Sequence, residues 1–303
     1  MLPLEVAPVV ADALAARRAV VALESTIITH GLPSPQNLET AKGVEAAVRE
    51  AGAVPATIAV VDGVMRVGLS AVELEALAEA KRVAKLSRAD LAVALATGGT
   101  GSTTVAATMI VARCAGIGVF ATGGIGGVHR GAEATFDISA DLRELAETPV
   151  TVVAAGAKAI LDIAKTLEVL ETLGVPVIGY RTDRFPAFWS RDSGLTAPLR
   201  LDTPDAIAAA HRMRATLGLP GGQLVANPIP HDAEIPAQEL APIIARAVDD
   251  AAREGVASKA VTPFVLDRVL TLTEGRSLHA NVALVLNNAR LAGEIAVALS
   301  ALR

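Results

Sequence analysis

The chain is 303 residues long, 52% hydrophobic and 19% charged, with a formal net charge of −5. This excludes a disordered chain, which combines low hydrophobicity with high net charge, and leaves no basic footprint for a nucleic-acid backbone. Aromatic residues make up only 2%, too few to stack a single strand. The core must therefore be Ala, Val, Leu and Ile, as in parallel sheets covered by helices. The length suits one large core, and no clean linker divides it, so the chain reads as a single domain over 1–303. Cys114 is the only cysteine, which excludes an intramolecular disulfide. The N-terminus (Met1, Leu2, Pro3, Leu4, Glu5) lacks the basic region of a signal peptide, and both features fit a reducing, cytoplasmic compartment.

In chain order, residues 19–23 read as a strand and 37–51 as a helix capped by Asn37. Residues 56–61 form a second strand, stopped by Asp62 and Gly63. Ser70 opens a helix, with Glu73 three residues on completing a capping box. Residues 91–96 read as a strand and 103–114 as a helix. The charge-free run 91–112 is long enough to span a bilayer, but its polar, glycine-rich centre reads as a strand, a ligand loop and a helix, so no membrane span is expected. Strands at 117–121 and 150–155 follow, then a helix over 157–173 and a strand at 175–179. From 184 to 236 seven prolines break the pattern, and loops with short helices are expected there, as in a lid. Strand–helix alternation at this spacing predicts an α/β fold of three layers, a largely parallel central sheet with helices on both faces.

Four polar features share one predicted address, the carboxyl end of a strand: Glu24, Thr97-Gly98-Gly99, Thr122-Gly123-Gly124 and Lys158. Open parallel sheets form their ligand crevices there. Lys158 has an apolar setting. Burial and the positive end of a helix dipole both disfavour an ammonium, and a lysine at the ordinary pKa of ~10.4 is only about 0.04% neutral at pH 7, too little for a nucleophile. Two readings stay open: an activated amine, or a lysine whose stem snorkels to the surface. Glu24 is either a general acid, its pKa raised by burial, or a carboxylate capping the next turn. The glycine loops could present N–H groups to a phosphate, or be plain tight turns; neither matches a dinucleotide fingerprint. Asp137, Ser139 and Asp141 share one face if extended and could hold a hard divalent cation through waters; the alternative is a helix cap. His129 and Arg130 could bind an anion or face solvent.

Several long motifs point further. Ala22-Leu23-Glu24-Ser25-Thr26-Ile27-Ile28 resembles the opening of the pseudouridine-5′-phosphate glycosidases, as do His30-Gly31-Leu32-Pro33 and Pro35-Gln36-Asn37. So do 85–88, 101–109, 123–133, 155–158, 182–199, 227–230 and 277–288, over nearly the whole chain. The resemblance implies reversible cleavage of the C–C glycosidic bond of pseudouridine 5′-phosphate to uracil and ribose 5-phosphate. It implies Lys158 as the imine-forming lysine, Glu24 as proton donor and Asp137 as the ligand of one divalent metal per subunit, usually Mn2+. It also implies that Lys85, Val105, Ser139, Ala140 and Asp141 bind substrate, with His129 and Asn281 nearby, and that the protein is a homotrimer. His231 and His279 depart from the pattern at positions without a catalytic role. Rival readings are a Schiff-base aldolase, a ribokinase-like sugar kinase, for which no motif is present, and a non-catalytic nucleotide-binding module.

Overall fold

The computed structural model describes residues 2–256 and 261–302. Among these, eleven strands form one mixed sheet: β1 (Leu4–Val6), β2 (Val20–Leu23), β3 (Val54–Val61), β4 (Val64–Val67), β5 (Ala84–Leu86), β6 (Gly101–Thr103), β7 (Val119–Ala121), β8 (Thr151–Ala154), β9 (Val177–Tyr180), β10 (Leu199–Leu201) and β11 (Gln223–Ala226). The main order is β1-β4-β3-β2-β7-β8-β11-β9-β10. From β3 to β10 each neighbouring pair is parallel. Strand β3 is long enough to serve two neighbourhoods: its first half pairs with β2, its second half runs antiparallel to β4 and β6, and β5 flanks β6. Every residue of β2, β8 and β11 is buried, as strands covered on both faces require.

Twelve α-helices are described: α1 (Pro8–Ala15), α2 (Gln36–Glu50), α3 (Ala71–Glu79), α4 (Arg88–Ala96), α5 (Val105–Ala115), α6 (Ala132–Thr135), α7 (Ala140–Glu147), α8 (Ile163–Thr172), α9 (Pro204–Thr216), α10 (Ala237–Arg253), α11 (Val261–Leu272) and α12 (Arg276–Ala301). One group, α2, α9 and α12, packs together and onto β2, β7 and β8; another, α1, α4, α5 and α7, covers β2, β3 and β4. Helix α12 is long and apolar enough to cross a membrane, but 56% of its most apolar stretch is buried within the protein, and it is the central core helix. The capping box predicted at Ser70 is present: Glu73 accepts the Ser70 N–H at 2.8 Å, and Ser70 Oγ accepts the Glu73 N–H at 3.3 Å.

Four local expectations fail for identifiable reasons. Residues 91–96 lie in α4, not in a strand: Asp90 takes the Ser87 N–H at 2.8 Å and starts a helix that the alanine-rich run sustains. The run 91–112 is thus divided between α4, β6 and α5. Helix α8 begins six residues later than read, because a turn (Leu161 N–H to Lys158 O, 3.0 Å) intervenes and Asp162 caps the helix by accepting the Lys165 N–H at 3.1 Å. Asn37 is not a cap; it sits inside α2 and donates to the carbonyls of Ile28 (2.9 Å) and Ala78 (3.0 Å). Finally, 184–236 contains a 13-residue helix, α9, and strand β11 between β8 and β9. Three of its prolines stand at element starts, Pro204 opening α9, Pro198 preceding β10 and Pro236 preceding α10, where a fixed φ is tolerated. Phe185, Phe188 and Trp189 are buried, so this stretch is anchored in the core.

Half-buried His211 sits at the amino end of the sheet. Thr151 Oγ1 accepts from Gln223 Nε2 (3.2 Å) and also hydrogen-bonds His211 Nδ1 (2.9 Å). Burial, then the charges of Arg212 and Arg214, hold this imidazole below its ordinary pKa of 6.5. The folded state therefore binds fewer protons than the unfolded state once the pH falls below about 6.5, and stability falls with pH across that window. Thermal melts of His211→Gln between pH 7 and pH 5 should show a shallower loss than the unsubstituted protein; equal slopes would contradict this.

Candidate active site

Strands β2, β7 and β8 lie side by side, with Leu23 opposite Ala121 and Ala121 opposite Val153. The residues that follow them are therefore neighbours. Glu24 stands next to Thr122, whose hydroxyl donates to one carboxylate oxygen, while Thr26 donates to the other. Beyond β7 and β8 the two chains stay paired. Ala155 N–H meets Gly123 O (2.9 Å), Ile125 N–H meets Gly156 O (3.1 Å), and Lys158 N–H meets Ile125 O (3.1 Å). Gly156 makes this path possible: its φ is +77°, and a Cβ there would lie 2.2 Å from Pro186 O. Lys158 thus projects from a loop fixed on both sides, not from a helix N-terminus, and the helix-dipole argument for it falls away.

The carbonyl edge of the glycine loop is held from above by α12. Fully buried Asn288 donates to Thr122 O (2.8 Å) and Gly123 O (3.3 Å) and accepts from Asn227 Nδ2 (3.0 Å). Phe188 closes the side, with backbone φ +60°, a left-handed conformation that a bulky residue adopts only under surrounding constraint. A Cβ on Gly124 would come within 2.6 Å of the Phe188 ring, so that glycine lets the aromatic wall approach. Asn281 accepts from Trp189 Nε1 at 2.7 Å, which aims its amide at the cleft.

The resulting cleft has an empty volume of about 560 Å3, its open mouth included. Glu24, Lys85, Lys158 and Asn281, four of the residues singled out in the sequence, all line it, together with Thr26, His30 and Phe188. Thr262, Pro263 and Leu266 of α11 form the facing wall. The sequence reading missed Thr26, His30 and Phe188, and named Thr122 only as the start of a glycine loop. Thr26 lies in the motif 22–28 and Thr122 opens a glycine loop, but only strand register reveals that they share one carboxylate.

The other expected residues gather elsewhere. Ser139 caps α7, taking the Asp141 N–H at 3.2 Å, and buried Asp141 accepts the N–H groups of Ala106 (3.0 Å) and Gly126 (2.8 Å). Val105, Ser139, Ala140 and Asp141 therefore meet where the N-termini of α5 and α7 approach the glycine loop, outside the lining of the cleft. The extended face expected for Asp137, Ser139 and Asp141 does not form, because Asp141 already lies in the first turn of α7. Asp137 is 45% exposed with His129 Nδ1 at 3.9 Å, and no three His, Cys, Asp or Glu side chains converge on a metal-sized point among the described residues. Thr97-Gly98-Gly99 is also misplaced: it ends helix α4, and Gly99 O accepts the Gly63 N–H at 2.9 Å, at the turn between β3 and β4.

Comparison with known proteins places this geometry in a family. The model of the family described as indigoidine synthase A like protein matches residues 9–298. Proteins named pseudouridine-5′-phosphate glycosidase from Jannaschia sp. (strain CCS1) and Roseobacter denitrificans are each 70% identical to this chain, over 299 and 300 residues. They cover 99% of it and 99% and 97% of their own lengths. The chain belongs to the indigoidine synthase A-like family of pseudouridine-5′-phosphate glycosidases. Solved structures of similar proteins share the fold. A prealnumycin C-glycosynthase, solved with ribulose 5-phosphate, has TM-score 0.91 at 44% identity, covering 98% of this chain and 97% of that one. An indigoidine synthase A-like protein of Thermotoga maritima has TM-score 0.89 at 35% identity, covering 99% and 97%. The resemblance read from the sequence motifs and the expected α/β fold both hold.

Asn288→Ala should leave two loop carbonyls and the Asn227 amide without partners, destabilising the fold by about 1–3 kcal/mol. Because those carbonyls belong to the residues beside Glu24 and Lys158, activity should fall more than the unfolded fraction explains. A denaturation curve paired with an activity assay at low temperature checks both.

Proposed function

We propose that the protein cleaves pseudouridine 5′-phosphate reversibly to uracil and ribose 5-phosphate, with Lys158 as nucleophile and Glu24 as proton donor. The supporting observation is that Lys158 and Glu24, 134 residues apart in sequence, line one cleft. Relatives named for this activity at 70% identity support the substrate.

The bond to be broken joins two carbons, and carbon leaves poorly without an electron sink. Opening the sugar supplies one. Glu24 protonates the ring oxygen as its bond to C1′ breaks, and the Lys158 amine forms a C–N bond to C1′. After protonation of the uracil carbon, the C1′–C5 bond breaks and the nitrogen lone pair forms the imine. Water then adds at C1′ and releases ribose 5-phosphate, restoring the lysine. The two threonine hydroxyls hold the Glu24 carboxyl in place between the sugar oxygen and the lysine loop. Lys85 supplies positive charge for the phosphate, and Asn281, oriented by Trp189, supplies an amide for a uracil carbonyl.

Asp137 suits a divalent ion held mainly through water, since such an ion keeps most of its hydration and needs only one or two carboxylates. Its half-exposed carboxylate, with His129 beside it, leaves room for that shell. Bound there, Mn2+ would supply positive charge beside the end of the glycine loop, where the His129 N–H meets Asp137 O. The same reading includes a homotrimer in the cytoplasm, supported by the family resemblance of the motifs.

Mixed with uracil, ribose 5-phosphate and Mn2+, the protein should form a C-nucleotide detectable by mass and ultraviolet absorption. Lys158→Ala should form none and should lose the borohydride-trapped sugar adduct; retention of either would refute the assignment. Asp137→Ala should raise the Mn2+ concentration for half-maximal activity ~10–100-fold while the adduct still forms at saturating metal. An unchanged metal titration would remove Asp137 from the metal site.

A further inference from the structure

Lys85 lies on β5, a strand of three residues whose pairing partner is β6 alone. A strand so short, paired along one edge, is a weak platform for a charged side chain that must meet substrate. The structure supplies a second anchor. His30, in the π-helical turn Ile27–Gly31 that follows Glu24 by three residues, lines the cleft. Its Nδ1 lies 2.6 Å from Thr29 Oγ1 and 3.3 Å from Ser102 Oγ, and Thr29 Oγ1 donates to Ser102 Oγ at 2.8 Å. Ser102 is fully buried and stands opposite Lys85 in the β5–β6 register. The ring also hydrogen-bonds the backbone of Val83, immediately before β5. One imidazole therefore ties together the turn after Glu24, strand β6 and the approach to β5.

We propose that His30 is a positioning residue of the sugar-phosphate site, holding the Lys85 strand in register with the Glu24 turn. Burial, followed by the charge of Lys85, holds the ring below its ordinary pKa, opposed by the Val83 contact. It is consequently neutral at neutral pH, and with the Thr29 proton given to Ser102, its Nδ1 either takes the Ser102 proton or gives its own to Thr29. The inference rests on the proposed reaction, in which Lys85 meets the phosphate and Lys158 forms the imine. It adds that affinity for the phosphorylated sugar, rather than the chemical step, depends on His30.

Borohydride trapping of ribose 5-phosphate on the full chain, followed by mass spectrometry over a range of sugar concentrations, separates these effects. The unsubstituted protein should trap the sugar; failure would overturn the reaction and this inference with it. His30→Ala should need ~10-fold or more sugar for half-maximal trapping, with KM raised similarly and kcat within a few-fold. His30→Asn, which keeps an acceptor near the Nδ1 position, should recover part of the loss. Should His30→Ala prove poorly folded, Ser102→Ala, which removes the other end of the tie, should show the same shift in KM. Wild-type concentration dependence in the folded variant would overturn the proposal. So would loss of trapping at saturating sugar, which would put His30 in the chemistry itself.

Discussion

The parallel register of β2, β7 and β8 is the constraint from which the cleft follows. Three strands that end level, with Leu23, Ala121 and Val153 aligned, must deliver their next residues to one edge. Because side chains alternate along a strand and neighbouring strands lie about 4.8 Å apart, that edge brings side chains on adjacent strands into contact. The pairing then continues past the sheet, as Gly123, Ile125, Gly156 and Lys158 exchange backbone hydrogen bonds. The reacting groups are thus carried by backbone that is itself hydrogen-bonded, and little conformational entropy remains to be lost when a substrate arrives.

Much of this architecture is legible in the sequence because parallel strands buried on both faces are written as short runs of Val, Ile, Leu and Ala. Strands at 19–23, 56–61, 117–121 and 150–155 fall within a residue or two of β2, β3, β7 and β8. What misleads is composition without context. Leu91 to Ala96 has the apolar residues of a strand, yet its start is decided by Asp90, a single capping side chain. The prolines of 184–236 read as breakers, although a proline at an element's first position breaks nothing. Both cases share a cause: the residue at the boundary, not local composition, decides the element.

The candidate site divides in the same way. Glu24 and Lys158 are visible because each follows a strand and each is a charged group in an apolar setting. Their support is invisible in the chain, since Thr122 is 98 residues from Glu24 and Asn288 is 166 from Thr122. Such contacts exist only after the sheet closes. The same holds for His30, a residue within a quoted motif whose partners, Ser102 and Val83, come from elements that sequence spacing does not connect. Asp137, Ser139 and Asp141 show the opposite failure. Their alternation suggested one extended face, but a helix start at Ser139 turns Asp141 inward to hold two backbone amides.

The cleft is built unequally, and that asymmetry bears on how it works. Its floor is sheet ends and the Asn288 network, where polar atoms are paired within the protein. Its facing wall is α11, which offers Thr262, Pro263 and Leu266 and packs mainly against α10. Proton transfer at Glu24 and attack by Lys158 need fixed distances, which the floor provides. Entry of a nucleotide and departure of a planar base need a surface without strong directional bonds, which an apolar wall provides. Moving the hydrogen-bonded groups to the wall would couple substrate entry to the breaking of the very contacts that align the chemistry, and the fold avoids this by keeping the directional bonds on the sheet ends and α12.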